Sequence, residues 1–263
     1  MDLRGKTIWL TGASSGIGEA LAIALAAAGA KLLLSARSLD KLEAVRQRCA
    51  SPHLHRVAAL DLSDASAVPA RAVAILAEHG PIDVLINNAG IGQRASVLDT
   101  ALPVDRQIME VNYFAAVALT RAVLPGLLNR PEAMVVSVAS VMGKFATPRR
   151  SAYCASKHAL VAFMDSLRAE LSDSPLNVLT VCPGYIHTPF SISALKGDGS
   201  AQGQMDAGQL QGMAPEKCAA GIVRAMQRNK AELWIGGKEI FGVYLKQICP
   251  PLLRHLVSRV RVT

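Results

Sequence analysis

The chain has 263 residues, is 51% hydrophobic and only 4% aromatic, and carries a formal net charge of +8. This allows one sizeable core in a single domain spanning 1–263, and the sparse aromatics, with no basic stripe among them, exclude a nucleic-acid binder, so an anionic cofactor or surface is the expected partner of the charge. Five scattered cysteines (Cys49, Cys154, Cys182, Cys218 and Cys249) form no Cys-x-x-Cys pair, which excludes a disulfide framework or zinc site.

Short apolar runs alternate with longer helical periods along the chain. Residues 8–10 read as a first strand ending in Thr11-Gly12, after which Ile17, Leu21 and Leu25 recur on one helix face up to a stop at Gly29. Residues 32–34 form a second strand, followed by a helix over 39–49 that Ser38 caps. His53 and His55 lie two apart with no further ligands, so they read as a strand entrance with one exposed His, and no metal site is expected. A third strand covers 57–60, Ser63 caps the next helix, and a fourth strand covers 84–86. A long helix over 103–129 is expected to break near Pro125. A fifth strand (134–138), a long helix (152–171), a sixth strand (177–181), a helix from Pro215 to about 228 and a seventh strand (232–235) follow. Residues 196–212, rich in Gly, Gln, Ser and Asp, read as a mobile loop. Alternation of this kind, with near-continuous apolar strands, predicts an α/β fold whose parallel sheet is covered on both faces. Ligands of such sheets bind beyond the carboxyl ends of the strands. No stretch reaches ~18 uncharged apolar residues, and the N-terminal residues lack a signal-peptide layout, so a cytoplasmic location is expected.

The first strand-to-helix turn reads Thr11-Gly12-Ala13-Ser14-Ser15-Gly16-Ile17-Gly18. Glycines there let the backbone approach a pyrophosphate, and the helix start behind them offers free N–H groups to an anion. The second strand ends Leu34-Ser35-Ala36-Arg37-Ser38, without the acid that would bond the ribose 2′-hydroxyl of NAD. Arg37 suits the 2′-phosphate of NADP instead. Tyr153 and Lys157 share a helix face one turn apart, so a cation lies where it would favour a phenolate and lower its pKa.

Taken together, Thr11-Gly12-x-x-x-Gly16-x-Gly18, Asp61-Leu62, Asn87-Asn88-Ala89-Gly90, Asn112, Ser140, Tyr153-x-x-x-Lys157, Pro183-Gly184 and Thr188 resemble the short-chain dehydrogenase/reductase superfamily, in its single-domain branch, in order and over residues 1 to about 190. The resemblance implies a doubly wound, Rossmann-type seven-stranded sheet. It implies catalytic roles for Asn112, Ser140, Tyr153 and Lys157: Ser140 bonds the substrate oxygen, Tyr153 moves the proton, Lys157 bonds the nicotinamide ribose and depresses the Tyr153 pKa, and Asn112 binds a water of the proton relay. It also implies a cofactor site of Gly12, Ser14, Ser15, Gly16, Ile17, Gly18, Arg37, Asp61, Leu62, Asn88, Ala89, Gly90, Tyr153, Lys157, Pro183, Gly184, Ile186 and Thr188. The expected cofactor is NADP.

Apolar residues that would border a substrate are Ile91, Val141, Met142, Phe145, Phe190, Ile192 and Leu195, with 185–213 as a substrate loop. They favour a lipophilic carbonyl or alcohol. Lys144, Arg149 and Arg150 read as a solvated rim, with contact to an acidic substrate tail as the alternative. Residues 241–263 form a basic amphipathic tail in which Leu252, Leu253, Leu256, Val257 and Val260 follow helical spacing. Subunit or domain packing is expected for that stripe ahead of peripheral membrane contact, and the family resemblance implies a homodimer or homotetramer paired through the long helices near 103–129 and 152–171. From residue 214 onward the chain resembles, more loosely, the branch with dehydrogenase/reductase member 7 and the 11β-hydroxysteroid dehydrogenases. Besides carbonyl/alcohol chemistry, a 3-oxoacyl-thioester reductase and a non-enzymatic nucleotide sensor stay open.

Overall fold

A computed structural model describes residues 1–259, and residues 260–263 of the expected tail, with Val260 of its stripe, lie outside the described residues. Strands β1 (Thr7–Thr11), β2 (Lys31–Ala36), β3 (Arg56–Ala59), β4 (Val84–Asn87), β5 (Ala133–Val138), β6 (Leu176–Pro183) and β7 (Glu232–Ile235) make one sheet. Its order is β3-β2-β1-β4-β5-β6-β7 and every pairing is parallel. The helices are α1 (Gly16–Ala27), α2 (Leu39–Arg48), α3 (Val68–His79), α4 (Leu102–Met109), α5 (Ala115–Leu128), α6 (Ser151–Glu170), α7 (Ala207–Leu210), α8 (Pro215–Gln227), α9 (Phe241–Ile248) and α10 (Pro250–Val257). The seven strands and the α/β class agree with the sequence reading.

The strands are apolar throughout because both faces are covered. Ile8 and Leu10 point into a core shared with Leu21, Leu25, Leu42, Ile222 and Met226 of α1, α2 and α8. Trp9, between them, points the opposite way, into a core with Val68, Ile75, Leu119, Val123 and Met164 of α3, α5 and α6. Alternation of side chains along a strand thus feeds two cores from one run. Trp9 Nε1 donates to Ser35 Oγ (2.9 Å), which satisfies the one polar atom that this large side chain buries.

Two sequence expectations about helices are corrected. Ser63 does not cap α3, which begins five residues later at Val68 with a proline in its first turn. Residues 61–67 spend their polar groups on turns: Asp61 accepts from Ser63 N, and Asp64 accepts from Ser66 N and Oγ. The long helix does not break at Pro125. That residue lies on the exposed face of α5, where the carbonyl freed by its missing N–H reaches solvent. The discontinuity is instead a π turn over Glu110–Phe114, with Asn112 buried inside it. Among the described residues, Leu102–Leu128 is the one helical run long and apolar enough to cross a membrane (27 residues, mean hydropathy 1.4), which the sequence reading did not anticipate. Its inward face is already packed on the sheet, through Leu119, Val123 and Leu127.

The strand order reverses between β1 and β4, because β2 and β3 extend one way and β5 to β7 the other. Loops leaving the carboxyl ends of β1 and β4 therefore diverge and open a crevice.

Candidate active site

A cleft of about 680 Å³ occupies that crevice. Every residue expected to hold the cofactor lines it: Gly12, Ser14, Ser15, Gly16, Ile17, Gly18, Arg37, Asp61, Leu62, Asn88, Ala89, Gly90, Tyr153, Lys157, Pro183, Gly184, Ile186 and Thr188. Ser140 lines it too, whereas Asn112 does not.

The glycine turn is built by the ends of β1 and β4. Thr11 Oγ1 donates to Ile86 O (3.2 Å) and accepts from Asn88 N and Ala89 N, while Asn88 Nδ2 donates to Thr11 O and Gly12 O. Gly12 (φ +64°) and Gly16 (φ +58°) adopt the left-handed conformation that side chains disfavour. A Cβ on Gly18 would strike the Gly12 carbonyl and the Asn88 amide. No side chain caps α1, so its first-turn N–H groups remain for an anion. This cradle fits a dinucleotide pyrophosphate.

At the end of β2 the cleft is lined by Arg37, Ser38 and Lys41. Ser38 caps α2 by accepting from Lys41 N (3.4 Å), and that cap sets Lys41 beside Arg37 on the cleft wall. Sequence reasoning misses Lys41. Its signal is a cation at the third position after a capping serine.

Ser140, Tyr153 and Lys157 converge at the other end. Ser140 follows β5 and caps a short turn, accepting from Met142 N (3.1 Å) and donating to Pro183 O (3.4 Å). Tyr153 and Lys157 lie on one face of α6, with Lys157 Nζ 5.9 Å from the Tyr153 ring centroid. Lys157 Nζ donates to Val138 O (3.0 Å), and burial lowers its pKa to about 8. Burial pushes the Tyr153 phenol up, against hydrogen bonding by Ser140 and the charges of Arg150 and Arg94, which pull it down. In this dry site desolvation outweighs the hydrogen bond and the neighbouring charges, so the phenol stands above its ordinary value, not below it.

Asn112 works from behind the cleft wall. Its amide donates to Ile91 O (2.9 Å) and Ser156 Oγ (3.0 Å), and its Oδ1 accepts from Ile91 N (2.8 Å). Both N–H donors are thus committed, one to the Ile91 floor and one to Ser156 of α6, and a relay water has only acceptor atoms of this residue left.

Three polar residues, in the 91–94 and 185–213 segments that border the substrate in the sequence reading but without a role there, organise the substrate end. Gln93, fully buried, accepts from Ala152 N (2.8 Å) and Tyr153 N (3.4 Å) through Oε1 and donates to Thr100 Oγ1 (2.9 Å), so it caps the helix that bears Tyr153. Arg94 donates through Nε to Asp206 Oδ2 (2.7 Å), which also meets Arg150 (3.3 Å). None carries a motif, because each matters only through partners distant in sequence. Arg150 corrects the rim reading. It is 4% exposed, and Lys144 pairs with Glu232 (2.5 Å) instead of facing solvent. The 196–212 stretch is a loop but a tethered one, since it contributes α7 and the buried Asp206. Of the expected apolar lining, Ile91, Val141, Met142, Phe190, Ile192 and Leu195 face the cleft. Phe145 turns away to pack with Val243 of α9 and Leu253 of α10. The strand entrance has one exposed His, as expected: His53 is exposed, and His55 is buried, bonding Leu32 N (3.2 Å) and Ala50 O (2.8 Å).

A doubly wound parallel sheet with a glycine cradle at its switch point, and a Ser, Tyr and Lys set beside it, defines a nucleotide-dependent oxidoreductase. The chain belongs to the short-chain dehydrogenase/reductase family: the family model described as short chain dehydrogenase matches residues 6–198. It is 46% identical over 264 residues, covering 98% of this chain and 81% of the relative, to a protein of Anopheles gambiae described as dehydrogenase/reductase SDR family protein 7-like. Its fold is similar to that of a short-chain dehydrogenase/reductase from Burkholderia phymatum in complex with NAD (TM-score 0.82, 22% identity, 96% of each chain). It is also similar to an alcohol dehydrogenase from Thermococcus sibiricus complexed with 5-hydroxy-NADP (TM-score 0.75, 26% identity, 89% of this chain and 97% of that one).

Proposed function

We propose that the protein is an NADP(H)-dependent oxidoreductase that interconverts a carbonyl and a secondary alcohol on a lipophilic substrate. The observation that carries this reading is one cleft with Arg37 and Lys41 at one end and Ser140, Tyr153 and Lys157 at the other. Two cations, with no carboxylate among Ser35, Ala36, Arg37, Ser38 and Lys41, suit a 2′-phosphate. The glycine cradle of 12–18 holds the pyrophosphate, Asp61 and Leu62 the adenine end, and Asn88, Ala89, Gly90, Pro183, Gly184, Ile186 and Thr188 the nicotinamide end. The bound nicotinamide supplies or accepts the hydride.

The chain's own residues then orient the substrate and manage one proton. Ser140 donates a hydrogen bond to the substrate oxygen as charge develops there. Tyr153 gives its phenolic proton to that oxygen in reduction and recovers it in oxidation. Lys157, with a pKa of about 8, is mostly cationic at neutral pH and offsets phenolate charge. Ile91, Val141, Met142, Phe190, Ile192 and Leu195 exclude water from the reacting centre.

The reading extends to assembly. Phe241 (72% exposed) and Ile248 (81% exposed), with Leu252 and Leu256, form an apolar face on α9 and α10 beside Lys246 and Arg254. This supports a homodimer or homotetramer built through the tail.

The test is NADPH and NADH consumption with a panel of lipophilic ketones. NADPH should be preferred by roughly 10- to 150-fold, the worth of a charged hydrogen bond. Tyr153→Phe should abolish turnover while NADPH still binds. Equal use of NADH overturns the cofactor assignment, and near-normal turnover by Tyr153→Phe overturns the chemistry.

A further inference from the structure

The substrate end of the cleft holds more positive charge than its own carboxylates balance. Arg94 and Arg150 both line it, are 6% and 4% exposed, and meet a single acid, Asp206 (3% exposed). Arg94 takes the better share of that acid, through Nε (2.7 Å) and Nη2 (2.5 Å), and sends Nη1 to Gln93 O (2.6 Å). Arg150 is left with long bonds of 3.3 Å to Asp206 and to the Tyr185 hydroxyl, and its buried Nε has no acceptor. Lys157, about two turns further along α6, adds a third buried cation. Among the described residues, the other carboxylates on the cleft wall form no ion pair with these cations. Asp61 sits at the β3 end, and Glu239 is taken by Tyr185 N (2.7 Å) and Gly237 N (2.9 Å).

A buried guanidinium with an unsatisfied donor is costly unless something completes it. Asp206 and Gln202 fix the pair in place, Gln202 Nε2 donating to Asp206 Oδ1 (2.9 Å), so the cluster is preorganised rather than free to swing into solvent. The planar Arg150 guanidinium can give an oxyanion stronger bonds than the 3.3 Å ones it now makes. Arg150 precedes Tyr153 by three residues at the start of α6, both line the same cleft, and the Arg150 charge reaches the Tyr153 phenol, so one molecule can meet both.

We propose that Arg150, braced by Arg94 and Asp206, forms a subsite for an anionic group of the substrate, a carboxylate or a phosphate monoester, attached to the apolar body that carries the carbonyl. The proposal rests on the oxidoreductase reading and narrows its substrate class to amphiphilic keto anions or hydroxy anions.

The test compares a medium-chain keto acid, its methyl ester and the matching keto alkyl phosphate. With NADPH, kcat/KM for one or both anions should exceed that for the ester by about 10- to 100-fold. Arg150→Gln leaves the Arg94–Asp206 pair in place and should bring the ratio close to one, and Arg150→Lys should keep part of it. The keto acid and keto phosphate arms identify which oxyanion fits. Calorimetric binding of the same three compounds in the presence of NADP+ separates this subsite from the chemistry. Anion-selective binding that Arg150→Gln removes, without turnover of any compound, upholds the subsite and refutes only the oxidoreductase reading. Equal binding of acid, phosphate and ester by the wild-type protein overturns the subsite, as does an Arg150→Gln variant whose main loss is NADPH affinity.

Discussion

Lys157 shows how one side chain couples site and stability. Its amine is buried against Val138 O, and burial lowers its pKa from 10.5 to about 8. Below pH 8 the folded and unfolded chains both carry the charge, so the folded state bears the full cost of a buried cation. Between about pH 8 and 10.5 the unfolded chain binds the extra proton, so this residue's contribution to stability rises with pH. Cys182 and Cys218, both pushed up to about 12 by burial, act in the opposite direction above pH 9. A difference between variants therefore isolates the lysine. Lys157→Met should be more stable than wild type at pH 7, by an amount on the order of 3 kcal/mol at most. That advantage should shrink steadily as thermal melts are repeated from pH 7 to pH 10. A constant gap across this range would mean that Lys157 does not titrate there.

At the scale of elements, the N-terminus of α6 decides where Tyr153 stands. Arg150 precedes the helix without a side-chain cap, and Gln93 supplies one from the loop after β4, accepting from Ala152 N and Tyr153 N. Gln93→Leu would strand these amides and the Thr100 and Ser151 hydroxyls, at a cost of about 2 kcal/mol. The expected signature is a fall in kcat larger than the change in KM, since the residue positions Tyr153 without touching a ligand, with partial rescue by Gln93→Glu, which keeps the acceptor. Unchanged kcat in Gln93→Leu, despite a lower Tm, would make the role structural only. The Glu110–Phe114 π turn is the second such device: it inserts Asn112 where one amide hydrogen braces Ile91 and the other ties that floor to Ser156 of α6.

Across the whole molecule, the tail is part of the site's foundation. Leu253 of α10 and Val243 of α9 pack in one cluster with Phe145, Met142 and Tyr153. Leu253→Ala should destabilise the protein by about 2–4 kcal/mol, read as a lower midpoint in urea. It should also lower turnover, because the cavity opens in the cluster that seats Tyr153. A loss below 1 kcal/mol would show that α10 is docked too loosely to support the site.

Much of this was legible in the 263 residues. Seven strands, the glycine cradle, Arg37, Ser140, Tyr153 and Lys157 announce themselves through local order: side-chain periodicity, turn chemistry and motif spacing act over a few neighbouring residues. What only the tertiary structure decided is long-range. Arg150 reads as a rim cation until Asp206, 56 residues away, draws it inside. Gln93 has no motif until its amide meets a helix 59 residues on. Phe145 reads as substrate lining until α9 and α10 fold over it. The long helix yields at Glu110–Phe114 rather than at Pro125 because a proline on an exposed face leaves a carbonyl to solvent, whereas a buried asparagine has to reach three partners. Local pattern specifies which groups bury or turn, but the charge balance and hydrogen bonding of a buried polar group depend on partners that the chain supplies only after it has folded.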